Sequence, residues 1–200
     1  MQTASSRDKI LLSAFELFTS KGFQVTTTQE IADKAQVNQV TLFRNFTNKQ
    51  RLLQAVLEEF LVPKLVFSLN EDDLFAKYEN EPEKFFKALA MSVAEKIKLM
   101  LPFMKMQILE TSTSHLDEEI LNTLSQVPTR SRKKLESVFK KCVERNWIED
   151  RESFDPLIVS LYGPFFAYFM NLSKFKNRVF QEPESFMIEQ IANNFVKACL

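Results

Sequence analysis

Apolar residues recur at helical spacing from one end of this chain to the other. Ile10, Leu11, Ala14, Phe15, Leu17 and Phe18 fall on one face at intervals of three and four, predicting an amphipathic helix over 6–21. Gly22 then stands where a left-handed C-terminal cap is wanted. The run Thr27-Thr28-Gln29-Glu30 has the spacing of a capping box, in which hydroxyl and carboxylate satisfy each other's backbone amides. It opens a short helix over 28–35 that buries Ile31, Ala32 and Ala35. Asn38 caps a second short helix over 39–45. Asn48 caps a third, with Leu52, Leu53, Val56, Leu57, Phe60 and Leu61 on one stripe.

Past Pro63 the pattern becomes richer in Phe and Met. Pro82 leads into a helix over 83–101 that Pro102 is expected to end, followed by a shorter segment over 103–113. Asp117 caps a turn of helix reaching Val127. Pro128 suits the first positions of a long helix to Arg145, with Asn146 as its left-handed cap. Asp155-Pro156 opens a helix over 156–176 with an expected kink at Gly163-Pro164. In the last helix, 184–199, the apolar face is Ile188, Ile191, Ala192, Phe195, Val196 and Cys199.

Composition narrows the fold class. Two glycines against twenty phenylalanines leave little room for tight hairpins or phosphate-cradling loops, and favour an all-α chain with short connections. No apolar run approaches the roughly 20 residues of a membrane span, and the start MQTASSRDK lacks the apolar core of a signal peptide, so a cytoplasmic protein is expected. Cys142 and Cys199 lie far apart without metal-ligand spacing and read as reduced thiols. The zero net charge is uneven: residues 1–51 hold seven Lys/Arg against four acids, net +3, and the remainder is net −3. A basic head on an acidic body suits a polyanion-binding module joined to something else.

The chemistry concentrates in QVNQVTLFRNFTNK, residues 36–49. Two short helices joined by a tight turn fit a helix-turn-helix, whose second helix buries one face and offers a polar, groove-fitting face to the base edges. Val37, Leu42 and Phe46 are expected inward, while Gln39, Val40, Thr41 and Asn45 are expected outward, and Asn38 starts the helix. Gln can pair bidentately with adenine, and Val40 or the Thr41 methyl can touch a thymine methyl. Thr26, Thr27, Arg44 and Lys49 are the expected phosphate contacts, which set register. Capped short helices with polar faces also occur in bundles that bind no DNA, so spacing alone leaves both readings open.

The segments ILLSAFELFTSKGF, TTTQEIADKAQV and TLFRNFTNKQRLL, between Ile10 and Leu53, resemble the DNA-binding domain of tetracycline-repressor-type (TetR-family) regulators. The resemblance implies a three-helix DNA-binding domain over 1–50 and a larger helical ligand-binding and dimerisation domain over 51–200, connected by the helix 48–69. Departures from the family pattern are Gln36 for a Gly in the turn, Val40 for a Gly in the recognition helix, Phe43 for a frequent Tyr, and Asn45 for a His or Tyr. Without the hydroxyl, Phe43 is expected to pack or to touch a sugar.

For the body, the resemblance implies a homodimer through helices about 156–176 and 184–199, and an effector pocket between the middle helices. LYGPFFAYFMNLSKF, 161–175, is apolar on more faces than a small bundle uses, which fits a partner there or a central core helix. Pocket candidates are Met91, Met100, Phe103, Met104, Gln107, Phe139, Trp147, Tyr162, Phe166 and Phe169, with Glu110 as a carboxylate for a cation among aromatic faces. Each of them equally fits plain core. His115, in TSTSHLDEE, reads as surface. With one histidine, no Gly-rich motif and only adjacent paired acids (Glu58-Glu59, Glu118-Glu119), no catalytic constellation, metal site or cofactor is expected. The expectation is a homodimeric repressor, released from a palindromic DNA operator by a small, largely apolar or aromatic effector. An activator, or an interaction module of the same fold that has lost DNA binding, are the alternatives.

Overall fold

The computed structural model describes residues 5–62, 70–110, 118–174 and 182–200, with side chains for all of these except 61, 104–110 and 172–174. In chain order the helices are α1 (Ser6–Lys21), α2 (Thr28–Ala35), α3 (Gln39–Asn45), α4 (Lys49–Val56), α5 (Glu71–Lys77), α6 (Pro82–Glu110), α7 (Glu118–Glu144), α8 (Asp155–Lys174) and α9 (Glu184–Cys199). A π-helical stretch, Leu57–Leu61, follows α4 directly. No strand occurs among the described residues.

The chain packs as two compact units: Met1–Leu65 with Pro102–Pro128, and Val66–Leu101 with Thr129–Leu200. In the first, α1 packs against α2, α3 and α4. Its core is the predicted stripe: Ile10, Leu11, Ala14 and Phe18 from α1, Ile31 and Ala32 from α2, Leu42 from α3, and Leu52, Leu53 and Val56 from α4, all essentially inaccessible to solvent. At ~1.5–3 kcal/mol for each large apolar side chain buried, this set is what holds four short helices that would be marginal alone. Phe15 stacks on Phe60 at 6.0 Å and on Phe103 at 6.5 Å, and Phe18 meets Phe23 edge-on at 5.3 Å.

The second unit has a Phe-rich core drawn from α5 to α9. Phe75 stacks on Phe85 at 4.5 Å, Trp147 lies edge-on to Phe85 at 5.1 Å, and Phe195 of α9 packs on Phe86 and Phe139. Ion pairs pin the helices at the rim: Glu71–Lys134 at 2.7 Å, Arg132–Asp155 at 2.7 Å, Lys87–Glu189 at 2.7 Å and Lys98–Glu184 at 2.5 Å. Cys142 and Cys199 are free and buried in this core, their thiols pushed up to about 12 chiefly by burial, which keeps them protonated.

Two helix boundaries differ from the sequence reading. Helix α6 runs through Pro102, and α7 runs through Pro128. A proline inside a helix loses one amide bond and crowds the carbonyl four residues back, at a cost of ~3 kcal/mol. Burial beside each proline offsets that cost: Leu101 and Phe103 flank Pro102, and Leu124 and Val127 lead into Pro128. The same two prolines bound the segment that the chain contributes to the first unit.

Candidate nucleic-acid interface

The turn between α1 and α2 begins at Gly22, whose φ of +94° with ψ 157° is a conformation that side chains rarely tolerate. Thr26 is buried there, its hydroxyl donating to the Gly22 carbonyl at 2.8 Å and to the Leu17 carbonyl at 3.4 Å. The Thr26 hydroxyl, for which a phosphate contact is expected from sequence, thus lies inside and is bonded to the turn. Thr27 stays exposed and completes the capping box: its amide donates to Glu30 Oε2 at 2.9 Å, and the Glu30 amide donates to Thr27 Oγ1 at 3.1 Å. Lys21 donates to Glu30 Oε1 at 2.6 Å and, with the Thr27 amide, pulls that carboxyl down to about 2. The one acid in the first turn of α2 is thus neutralised by a neighbour.

Helix α2 ends in a Schellman motif. Gln36, at φ 56° and ψ 44°, donates its amide to Asp33, and Val37 donates to Ala32 at 3.0 Å. Asn38 accepts from the Thr41 amide at 2.7 Å and so starts α3 as expected. Around α3, with about 100° between successive residues, Val40 lies at the middle of the exposed face with Phe43 and Arg44 on either side. Gln39 and Thr41 are half-buried at the edges, and Leu42 and Phe46 are buried. Val40 is 76% exposed and Phe43 45% exposed. Phe43 is therefore only partly packed against its own fold. Asn45 turns its amide back to the Thr41 carbonyl at 2.7 Å, spending a donor inside the helix.

Lys49 is half-buried; its ammonium donates to the Gln24 carbonyl at 3.1 Å and lies 4.4 Å from the centre of the Phe23 ring. The turn 22–27 thus fixes where that cation sits, and neither Gln24 nor Phe23 was singled out in the sequence, where nothing marks a contact spanning 25 positions. Of the other bases in the first unit, Arg7 pairs with Glu59, Lys34 with Glu16 and Arg51 with Glu119. Arg44 and Lys9 are exposed and have no acid partner among the described residues. Pairing removes most of the nominal excess and leaves an uncompensated charge on α3 itself.

The described candidate effector residues sit at different depths. Phe139 and Phe169 are buried in the second unit's core, with Trp147 and Tyr162 packed against it; burial raises the Tyr162 phenol above its ordinary range, and Ser131 hydrogen-bonds it. Met100 and Phe166 are half-buried, while Met91 is 38% exposed, on the outer side of α6. Phe103 belongs to the first unit, against Phe15. The side chains of Met104, Gln107 and Glu110, and all of His115, lie outside the described residues. An open cleft of about 500 Å³ along α7 is lined by Lys133, Glu136, Ser137, Lys140, Lys141 and Glu144, none of them a candidate. Among the described residues no three His, Cys, Asp or Glu side chains are grouped to hold a metal ion, and no helix is long and apolar enough to cross a membrane.

Residues 10–56, from the core of α1 to the end of α4, match the family of bacterial regulatory proteins, tetR family. Over 192 residues, 94% of each chain, the sequence is 27% identical to the uncharacterized HTH-type transcriptional regulator YvkB of Bacillus subtilis. A TetR-family transcriptional regulator from Mesorhizobium loti superposes with a TM-score of 0.68 over 100% of this chain and 97% of its own, at 18% identity. The regulator FadR from Bacillus subtilis, solved in complex with stearoyl-CoA, gives a TM-score of 0.59 over 96% of both chains at 12% identity. At such identities the structural likeness speaks for the fold.

Proposed function

We propose that this chain is a transcriptional regulator of the TetR family, a homodimeric repressor that leaves a palindromic operator when a small, largely apolar or aromatic effector binds in its body. The observation that carries the reading is the helix-turn-helix, with one exposed face of α3 bearing Val40, Phe43 and Arg44, which has no acid partner among the described residues. Thr27, Arg44 and Lys49 would hold phosphates, and Gln39, Val40 and Thr41 would meet base edges. One seven-residue helix supplies little affinity, whereas two copies about 34–36 Å apart read a two-fold site. Helices α8 and α9 pack on each other and leave Val159 and Phe186 exposed, which supports pairing through them.

The effector is the finer part of the reading. The second unit's aromatic core supports an apolar ligand, and the stearoyl-CoA held by FadR makes a long acyl chain the first class to try. Lys96, half-buried beside Lys134 and without an acid partner among the described residues, would pair an anionic end. Fluorescence anisotropy with DNA from the region upstream of the protein's own gene tests the core of the proposal. Tight, salt-sensitive binding is expected, reversed by acyl-CoA; binding no stronger than to random duplex at physiological salt would favour an interaction module instead.

A further inference from the structure

Two apolar side chains of α3 face outward. Val40 sits at the middle of its exposed face, 76% accessible, and Phe43 follows one turn later, 45% accessible. Neither residue favours a helix intrinsically; Val40 draws little burial from its own fold, and Phe43 leaves nearly half of its surface in water. The polar residues of the same stretch are largely committed elsewhere: Asn38 to the cap and Asn45 to the Thr41 carbonyl. The surface offered outward is thus a valine and a phenylalanine, with Arg44 beside them and Gln39 and Thr41 at the margins.

A major groove is lined by hydrogen-bonding atoms with one apolar exception, the C5-methyl group of thymine. We propose that Val40 and Phe43 make this helix a reader of thymine methyl groups, so that each operator half-site carries thymines at neighbouring base pairs beneath them. The inference rests on the DNA-binding reading above and specifies its chemistry. The spacing fits: three residues advance about 4.5 Å along a helix axis, close to the ~3.4 Å step between base pairs. The positive charge of Arg44, unpaired within the described residues, complements a phosphate backbone flanking that contact. An apolar face on a protein partner would not call for that cation.

The test uses the full-length protein and a duplex enriched by it from a random library. Thymines of that duplex are replaced one at a time by uracil, which removes the methyl and keeps the pairing. One or two positions per half-site should weaken binding about fourfold each, the equivalent of ~0.8 kcal/mol for one buried methyl-sized group, with the other thymines neutral. Val40→Ala should abolish the response at one of these positions and Phe43→Ala at its neighbour. Both side chains are exposed, so unchanged thermal melts establish that the variants fold, and the uracil scan on the unaltered protein needs no variant. If selective binding persists while every uracil is tolerated, the methyl-reading inference is wrong and the DNA-binding reading stands. If no sequence is enriched, the DNA-binding reading itself fails, and this one with it.

Discussion

The Arg7 guanidinium and the Glu59 carboxylate meet fork to fork, with N–H···O distances of 2.6 and 2.5 Å, although they lie 52 positions apart. The pair ties the first turn of α1 to the π-helical stretch after α4, and Arg7 also covers the Phe46 ring at 5.3 Å. The Arg7 hydrogen bonds hold the Glu59 carboxyl below its ordinary value, against a smaller opposing effect of burial. A carboxyl lowered by folding stabilises the fold above its unfolded pKa, and that stabilisation is lost as pH falls through the lowered value. Glu59→Gln should therefore cost up to ~1 kcal/mol at pH 7, modest because both side chains are about 40% exposed. In urea titrations the gap between the two proteins should close as pH falls below the carboxylate range. A gap that persists in acid would mean that the pair is not its source.

Thr26 and Lys49 should separate cleanly in a binding experiment. Thr26→Val removes the hydroxyl that satisfies the Gly22 carbonyl and should cost ~1–2 kcal/mol of stability. Below its melting temperature the variant should keep the wild-type salt dependence of DNA binding, since that hydroxyl is buried and bonded to the turn. Lys49→Ala should weaken all duplexes alike and reduce the slope of log K against log salt by ~0.9, one phosphate's worth. A flattened slope for Thr26→Val would return Thr26 to the phosphate contacts.

Gln36 holds a left-handed conformation that costs an ordinary residue ~1 kcal/mol or more. Gln36→Gly removes that strain but adds freedom to the unfolded chain, so thermal denaturation should show a change within ~1 kcal/mol of zero. Gln36→Val, branched at Cβ, should lose clearly more. Equal melting temperatures for the two variants would contradict the geometry of this turn.

Helices α1 to α4 were legible because each carries its own start signal. Ser5, Thr27, Asn38 and Asn48 all accept a backbone amide at the cap, and all four helices begin within a residue of the position read from sequence. The prolines misled for the opposite reason: their local cost is written in the sequence, whereas the burial of Leu101, Phe103 and Val127 that overrides it depends on distant neighbours. Thr26 and Phe43 show the same limit. A threonine beside a capping threonine looks like a second surface hydroxyl, and a phenylalanine looks like core; only tertiary packing assigns the inside position to the first and the outside position to the second.

Gly163 offers the sharpest test of the proposed dimer. It stands in the middle of α8, where glycine costs a helix ~1 kcal/mol relative to alanine, and a Cβ built on it meets nothing within 4 Å. Packing within the chain thus gives no steric reason for glycine there. Its neighbours one turn away on either side, Val159 and Ala167, are both exposed, so the three form a shallow apolar strip. Helix axes pack 8–10 Å apart according to the side chains between them, and in a two-fold interface any added bulk counts twice. Gly163→Leu should therefore keep its helical circular dichroism and match or exceed the wild-type melting temperature at low protein concentration, where subunits are separate. In sedimentation equilibrium the same variant should dissociate at concentrations at least ~10-fold higher than wild type, a loss of ~1.4 kcal/mol. Operator affinity should fall in parallel, because the second recognition helix is no longer delivered with the first. A Gly163→Leu protein that remains as tight a dimer as wild type would place the interface on another face and leave the glycine without a role in assembly.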